Sequence, residues 1–278
     1  MKSFVGLLCA VVAMLVLSAA VGHKGQTTAP GDQAELRAAD GQRTPVVVEL
    51  FTSEGCSSCP PADALLAWLE RTQPVPGADI IALEEHVDYW NHLGWRDPYS
   101  SPELTARQSA YAQVFGSDSV YTPQMVVDGQ AGFVGSHESR ARQAIARAAA
   151  IRKAAVHLAW ARNAAAGNAV PLEIRIERLG VVTPGDTAEV FLAITEDNLR
   201  SDVTRGENTG RKLEHVGVVR ELKRIGKADP QAATAFAAQP RVTMAREWKR
   251  ENVRGVVFVQ ESRSRRILAA ATIPVPSQ

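Results

Sequence analysis

The feature that most constrains this chain is a switch of hydrophobic period around a pair of cysteines. VVVELF, residues 46–51, is a β-branched apolar run suited to a strand buried on both faces. PADALLAWLERT, residues 61–72, sets Leu65, Leu66, Trp68 and Leu69 at helical spacing. Between them, GCSSCP puts Cys56 and Cys59 three positions apart, at the turn from strand to helix.

The same alternation continues. DIIALEEHVDYW (79–90) predicts a second strand, and SPELTARQSAYAQVF (101–115) a helix capped by Ser101 with Pro102 at its first position. TPQMVVDGQAGFVG (122–135) predicts two strands joined by the turn Asp128-Gly129, and SHESRARQAIARAAAIRK (136–153) an amphipathic helix capped by Ser136. The expected order over 45–153 is β-α-β-α-β-β-α. From residue 154 the period drops to two, in runs such as AVHLAWA, PLEIRIERL, TAEVFLAIT, EHVGVVREL, RVTMAREW, RGVVFVQES and RRILAAATIPV. An antiparallel β-sandwich domain is therefore expected over 154–278.

Ahead of these, Lys2, the apolar run Phe4–Leu17 and the small residues Ser18, Ala19 and Ala20 read as a secretory signal peptide over 1–22. The run is shorter than the roughly 20 residues that span a bilayer, so no stable membrane span is expected after cleavage. Residues 23–44 are polar and aperiodic, an exposed leader. Of the three cysteines, Cys9 leaves with the signal, which gives Cys56 and Cys59 to an exported protein, periplasmic or extracellular, where disulfides persist. A net charge of +1 without long basic runs gives no electrostatic case for nucleic acid.

Three uses are open to the cysteine pair. A thiolate at a helix start is stabilised by free amides and the macrodipole, so Cys56 can attack a disulfide and Cys59 can resolve the mixed disulfide. A structural zinc site takes four ligands, which the pair reaches only with help from residues such as His86, Asp88 and His92, and no metal is assigned. A structural disulfide across so short a loop constrains the unfolded chain little.

A strand leading into CxxC at a helix start, then β-α, then Thr-Pro before a hairpin, resembles the thioredoxin superfamily over residues 45–153. The resemblance implies a thioredoxin-like α/β domain, a cis Pro123 beside the disulfide, and a Thr122 backbone offered to an extended substrate. It also implies an acid beneath the cysteines, for which Glu49 is the candidate, one residue further from Cys56 than in many thioredoxins. Gly55 in place of the usual tryptophan, and Ser57-Ser58 in place of Gly-Pro, leave the direction of electron flow open. More narrowly, ELFTSEGCSSCPPAD, HVDYWNHLGWRDPYSSPELTARQSAYA and VYTPQMVVDG resemble the secreted family known as domain of unknown function 1223, with RGENTGRKLEHVGVVREL continuing the likeness.

HVDYWNHLGWRDPY (86–99) leaves the second strand at the end where such folds carry their sites. Tyr89, Trp90, Trp95 and Tyr99 either form a platform for a partner or pack over the core, and His86 and Asp88 lie near the cysteines as auxiliary candidates. RSDVTRGENTGRKLEH (200–215) is a polar connection that either covers the cysteine face or stands in solvent. The leading expectation is an exported thiol–disulfide oxidoreductase acting on protein or small-molecule thiols and disulfides with a separate recycling partner. Its redox group is the Cys56-Cys59 disulfide, and no other cofactor is required. The alternative is a secreted binding protein in which the disulfide stiffens the site.

Overall fold

A computed structural model describes residues 43–161 and 169–276. The expected signal peptide, Cys9 and all but the last residues of the leader lie outside them. Strands are β1 Thr44–Thr52, β2 Ala78–His86, β3 Gln124–Val127, β4 Ala131–Val134, β5 Val156–Trp160, β6 Ala169–Glu177 and β7 Ala188–Glu196. They continue as β8 Leu199–Asp202, β9 Lys212–His215, β10 Val218–Lys227, β11 Thr234–Ala238, β12 Arg241–Thr243, β13 Val253–Glu261 and β14 Ile267–Pro274. The helices are α1 Pro60–Thr72, α2 Pro102–Val114 and α3 Glu138–Ala149. Among the described residues, no helix is long and apolar enough to cross a membrane.

An eight-stranded sheet runs β14-β13-β7-β10-β2-β1-β3-β4. β1 and β2 are parallel, and β3 and β4 continue antiparallel on one side. On the other side β10 joins β2 in parallel, and the rest is antiparallel. Side chains alternate between the faces of a strand. Val46, Val48 and Leu50 of β1 and Ile80 and Ala82 of β2 therefore bury against Leu66 and Leu69 of α1 and Ile145 of α3. The odd positions Val47, Ile81 and Leu83 point to the opposite face, where Leu104 of α2 covers them.

Strands from both sides of residue 154 share this sheet, and the described residues belong to one compact unit. β5, β6, β11 and β12 make a second sheet, whose Leu172, Ile174 and Ile176 pack on Val190, Leu192 and Val257 of the large one. The change of period at 154 marks a change in what covers the large sheet, from helices to a second sheet.

Local chemistry accounts for the joints. The Ser101 side chain accepts from the Leu104 amide and starts α2. At α3, His137 occupies the cap position without a side-chain bond, so Ser136 is not the cap. Asp128 and Gly129 both have positive φ, as a tight hairpin turn needs, and the buried Asp128 carboxylate accepts from the Val47 amide and pairs with Lys153.

EHVGVVREL, read as one run, is broken at Gly217, where φ is +61° and a Cβ would lie 2.7 Å from the Ala82 carbonyl oxygen. This break ends β9 at His215 and lets Val218 register with Glu84. Gly217→Ala should cost at least about 2 kcal/mol, from the left-handed backbone and the close approach together. Urea unfolding checks this, and unchanged stability would contradict it.

Candidate functional site

Cys56 and Cys59 form a disulfide with Cα atoms 5.5 Å apart at the head of α1, where Cys59 is the cap residue. The Ala62 and Asp63 amides donate to the Cys59 carbonyl, and the Ser58 hydroxyl lies 3.3 Å from Cys56 Sγ. Both cysteines are 0% exposed, although Ser57 and Ser58 between them are at the surface.

The cover comes from the connection between β8 and β9. Buried Asn208 donates through Nδ2 to the Glu54 and Cys56 carbonyls at 2.8 and 2.9 Å, and Glu207 Oε2 accepts from the Ser57 amide at 3.0 Å. The loop tip therefore binds the backbone of the cysteine turn.

The predicted aromatics frame the same turn. A Cβ on Gly55 would lie 3.1 Å from Trp90 Cβ, and Trp90 Nε1 donates to Thr122 Oγ1 at 2.8 Å. Trp90 thereby spans from the cysteine turn to the Thr122–Pro123 peptide, which is cis. Gly135 sits between Pro123 and the first turn of α1: a Cβ there would lie 3.2 Å from Pro123 Cβ and 3.1 Å from Ala62 Cβ. Trp95 Nε1 donates to Glu54 Oε2 at 2.7 Å, and the Tyr89 hydroxyl bonds Gln108 on α2. Asp88 is spent elsewhere, accepting from Thr105 Oγ1 at 2.6 Å, and His92 is exposed.

Glu49 is not beneath the cysteines. As an odd position of β1 it faces α2, where Arg107 Nε donates to it at 2.6 Å and the Tyr111 hydroxyl bonds its other oxygen. Glu85 lies on the same side, 3.4 Å from Arg107 Nε, its carboxyl raised by burial and by the charge of Glu49. The acid on the cysteine face is Asp63, one helical turn after Cys59 and bonded by Thr52 Oγ1 at 2.6 Å. Burial first, and then the charge of Glu84, raise its carboxyl to about 7.

Further along that face, Glu84 and His86 end β2 beside His215 of β9. His86 Nδ1 lies 2.7 Å from Asp97 Oδ2, and His215 Nδ1 2.8 Å from Glu84 Oε1. Burial opposes charge on both rings, but Asp97 outweighs it at His86, and Glu84 and Glu54 do so at His215, which rises to about 10. Burial would raise the Glu84 carboxyl, but the charge and hydrogen bond of His215, with His86 3.7 Å away, hold it down to about 2.

Of these residues, only His86 is among the candidates the sequence offers. Asp63 was legible as the acid one turn after a cysteine, and Glu84-Glu85-His86 as charges at the end of an otherwise apolar strand. Glu54, Asn208 and His215 carried no local signal.

Residues 47–260 match the family described as Protein of unknown function (DUF1223). The chain belongs to the DUF1223 family. Among solved structures, protein AGR_C_4864 from Agrobacterium tumefaciens is similar to this DUF1223 chain with a TM-score of 0.64 at 25% identity, over 85% of this chain and 97% of that one. HBP35 of Porphyromonas gingivalis is similar with a TM-score of 0.62 at 14% identity, over 84% and 76%, a likeness of fold alone. No curated protein matches the chain.

The raised Asp63 carboxyl has a consequence for stability. Between about pH 4 and 7 the folded chain keeps a proton that the unfolded chain has released, so this group's contribution falls as pH rises through that window and levels off above it. Asp63→Asn should remove this decline. Urea unfolding at pH 5 and pH 7.5 measures it, and an equal decline in both proteins would contradict the assignment.

Proposed function

We propose that this DUF1223 protein is an exported thiol–disulfide oxidoreductase on a thioredoxin-like fold. The observation that carries the reading is the Cys56-Cys59 pair at the head of α1 with a buried acid, Asp63, one turn beneath it and raised to about 7. An acid in that range takes and returns protons near neutral pH, as a dithiol cycle needs.

In the reducing direction, the Cys56 thiolate attacks a substrate disulfide, forming a mixed disulfide and expelling one substrate thiolate. Cys59, losing its proton to Asp63, then attacks Cys56 Sγ and expels the second. Two electrons and two protons pass to the substrate and the Cys56-Cys59 disulfide remains. A dithiol reductant closes the cycle, and with an oxidising partner the same steps run in reverse. The substrates are protein or small-molecule thiols and disulfides. Trp90, Thr122 and Pro123 border the approach to Cys56, and the Glu207-Asn208 tip must lift for a substrate to reach the sulfur.

The complete burial of both cysteines favours a second reading, in which the disulfide stiffens a partner-binding surface formed with residues 203–211. Trapping separates the two. Reduced Cys59→Ser, mixed with a disulfide-bearing protein, should accumulate a mixed disulfide through Cys56 that survives non-reducing electrophoresis, and Cys56→Ser should form none. No adduct from Cys59→Ser under any accessible redox condition would contradict the enzyme and leave the binder.

A further inference from the structure

We propose that Glu84, His86 and His215 form a site for a divalent transition-metal ion of the zinc class, with Glu54 as a further oxygen donor. Ligand atoms of the first three lie within 4.8 Å of one another, and all three residues are buried. Two imidazoles with carboxylate oxygens are a donor set that zinc accepts.

Three of the four donors are aimed by a partner outside the set, while His215 is held within it, its Nδ1 2.8 Å from Glu84 Oε1. His86 commits Nδ1 to Asp97 Oδ2 at 2.7 Å, which turns Nε2 inward, 3.7 Å from Glu84 Oε1. A carboxylate behind a ligating imidazole is the usual device for fixing its orientation. Asp97 is itself fixed by the Glu54 and Tyr99 amides. Glu84 gives Oε2 to the Val216 amide at 3.0 Å, leaving Oε1 between the two rings. Glu54 gives Oε2 to Trp95, leaving Oε1 3.3 Å from His215 Nε2.

The independent sign of a ligand is what remains unpaired. His86 Nε2, His215 Nε2 and Glu54 Oε1 are buried polar atoms that complete no hydrogen bond, the last two facing each other at 3.3 Å as an ion pair and His86 Nε2 standing 3.7 Å from Glu84 Oε1, and they belong to one cluster. Such atoms are rare in folded proteins, and an ion among them would satisfy all three at once. A cavity of about 360 Å³ lined by Pro60, Asp63, Leu213, His215 and Val216 lies against the cluster on the His215 side. The site uses no sulfur, so it stands whether or not the cysteines turn over.

The test uses the full chain with its disulfide oxidised, stripped by chelator and titrated with Co²⁺ and then Zn²⁺. The expected result is one ion per chain, with Co²⁺ giving visible d–d bands, no thiolate charge-transfer band, and displacement by Zn²⁺. Asp97→Asn, which removes a positioning residue, should weaken Zn²⁺ about 10- to 100-fold. His215→Gln should weaken it at least as much, while the double variant Cys56→Ser, Cys59→Ser should bind as wild type. Substoichiometric binding, or affinity that follows the cysteines and ignores His215→Gln, would overturn the proposal. If His215→Gln fails to fold, the Co²⁺ spectrum of the oxidised wild-type chain decides alone.

Discussion

The large sheet is tied together at Glu84. Between β2 and β10 the only registered pair among the described residues is Val218 against Glu84. The Glu84 amide donates to the Gly217 carbonyl, while its side chain accepts from the Val216 amide and from His215. Backbone and side chain of one buried acid thus hold the β9–β10 corner against the end of β2. Burying a carboxylate is costly unless it is paired and hydrogen-bonded, and here every bond it makes to that corner joins the helix-covered half of the sheet to the other half.

That corner also sets the chemistry. Because side chains alternate along β1 and β2, the polar residues at the ends of these strands sort by parity onto opposite faces. Thr52, Glu84 and His86 meet Asp63 and His215 on the side of α1, while Glu49 and Glu85 meet Arg107 and Tyr111 on the side of α2. The second group is a buried ion-pair network on the face of the sheet opposite α1. The first lies below the cysteine turn, and the β8–β9 hairpin that ends at His215 also carries Asn208 onto the Cys56 carbonyl. One hairpin therefore serves both the cover over the disulfide and the cluster beneath it.

Local signals made the framework legible. The β-branched run before Cys56, the helical spacing after it, the Ser101 cap and the Asp128-Gly129 turn each have a short-range cause, and the elements lie where those causes put them. β8 and β11 carry no such signal, because LRSD and TAFAA are short and weakly patterned, and they gain their strands from pairing with β9 and β6. Glu49 has a suitable place in the chain, yet its parity sends it to the face of α2. The His215–Glu84 contact spans 131 residues, and Asn208 reaches Cys56 across 152, so neither could be found from spacing.

The most direct test of the account is the reduction potential of the Cys56-Cys59 pair, measured by equilibrating the protein against thiol–disulfide buffers. A catalytic pair should lie between about −120 and −270 mV, the span of thiol–disulfide catalysts. A potential below about −300 mV would mark a structural disulfide and contradict the proposed activity.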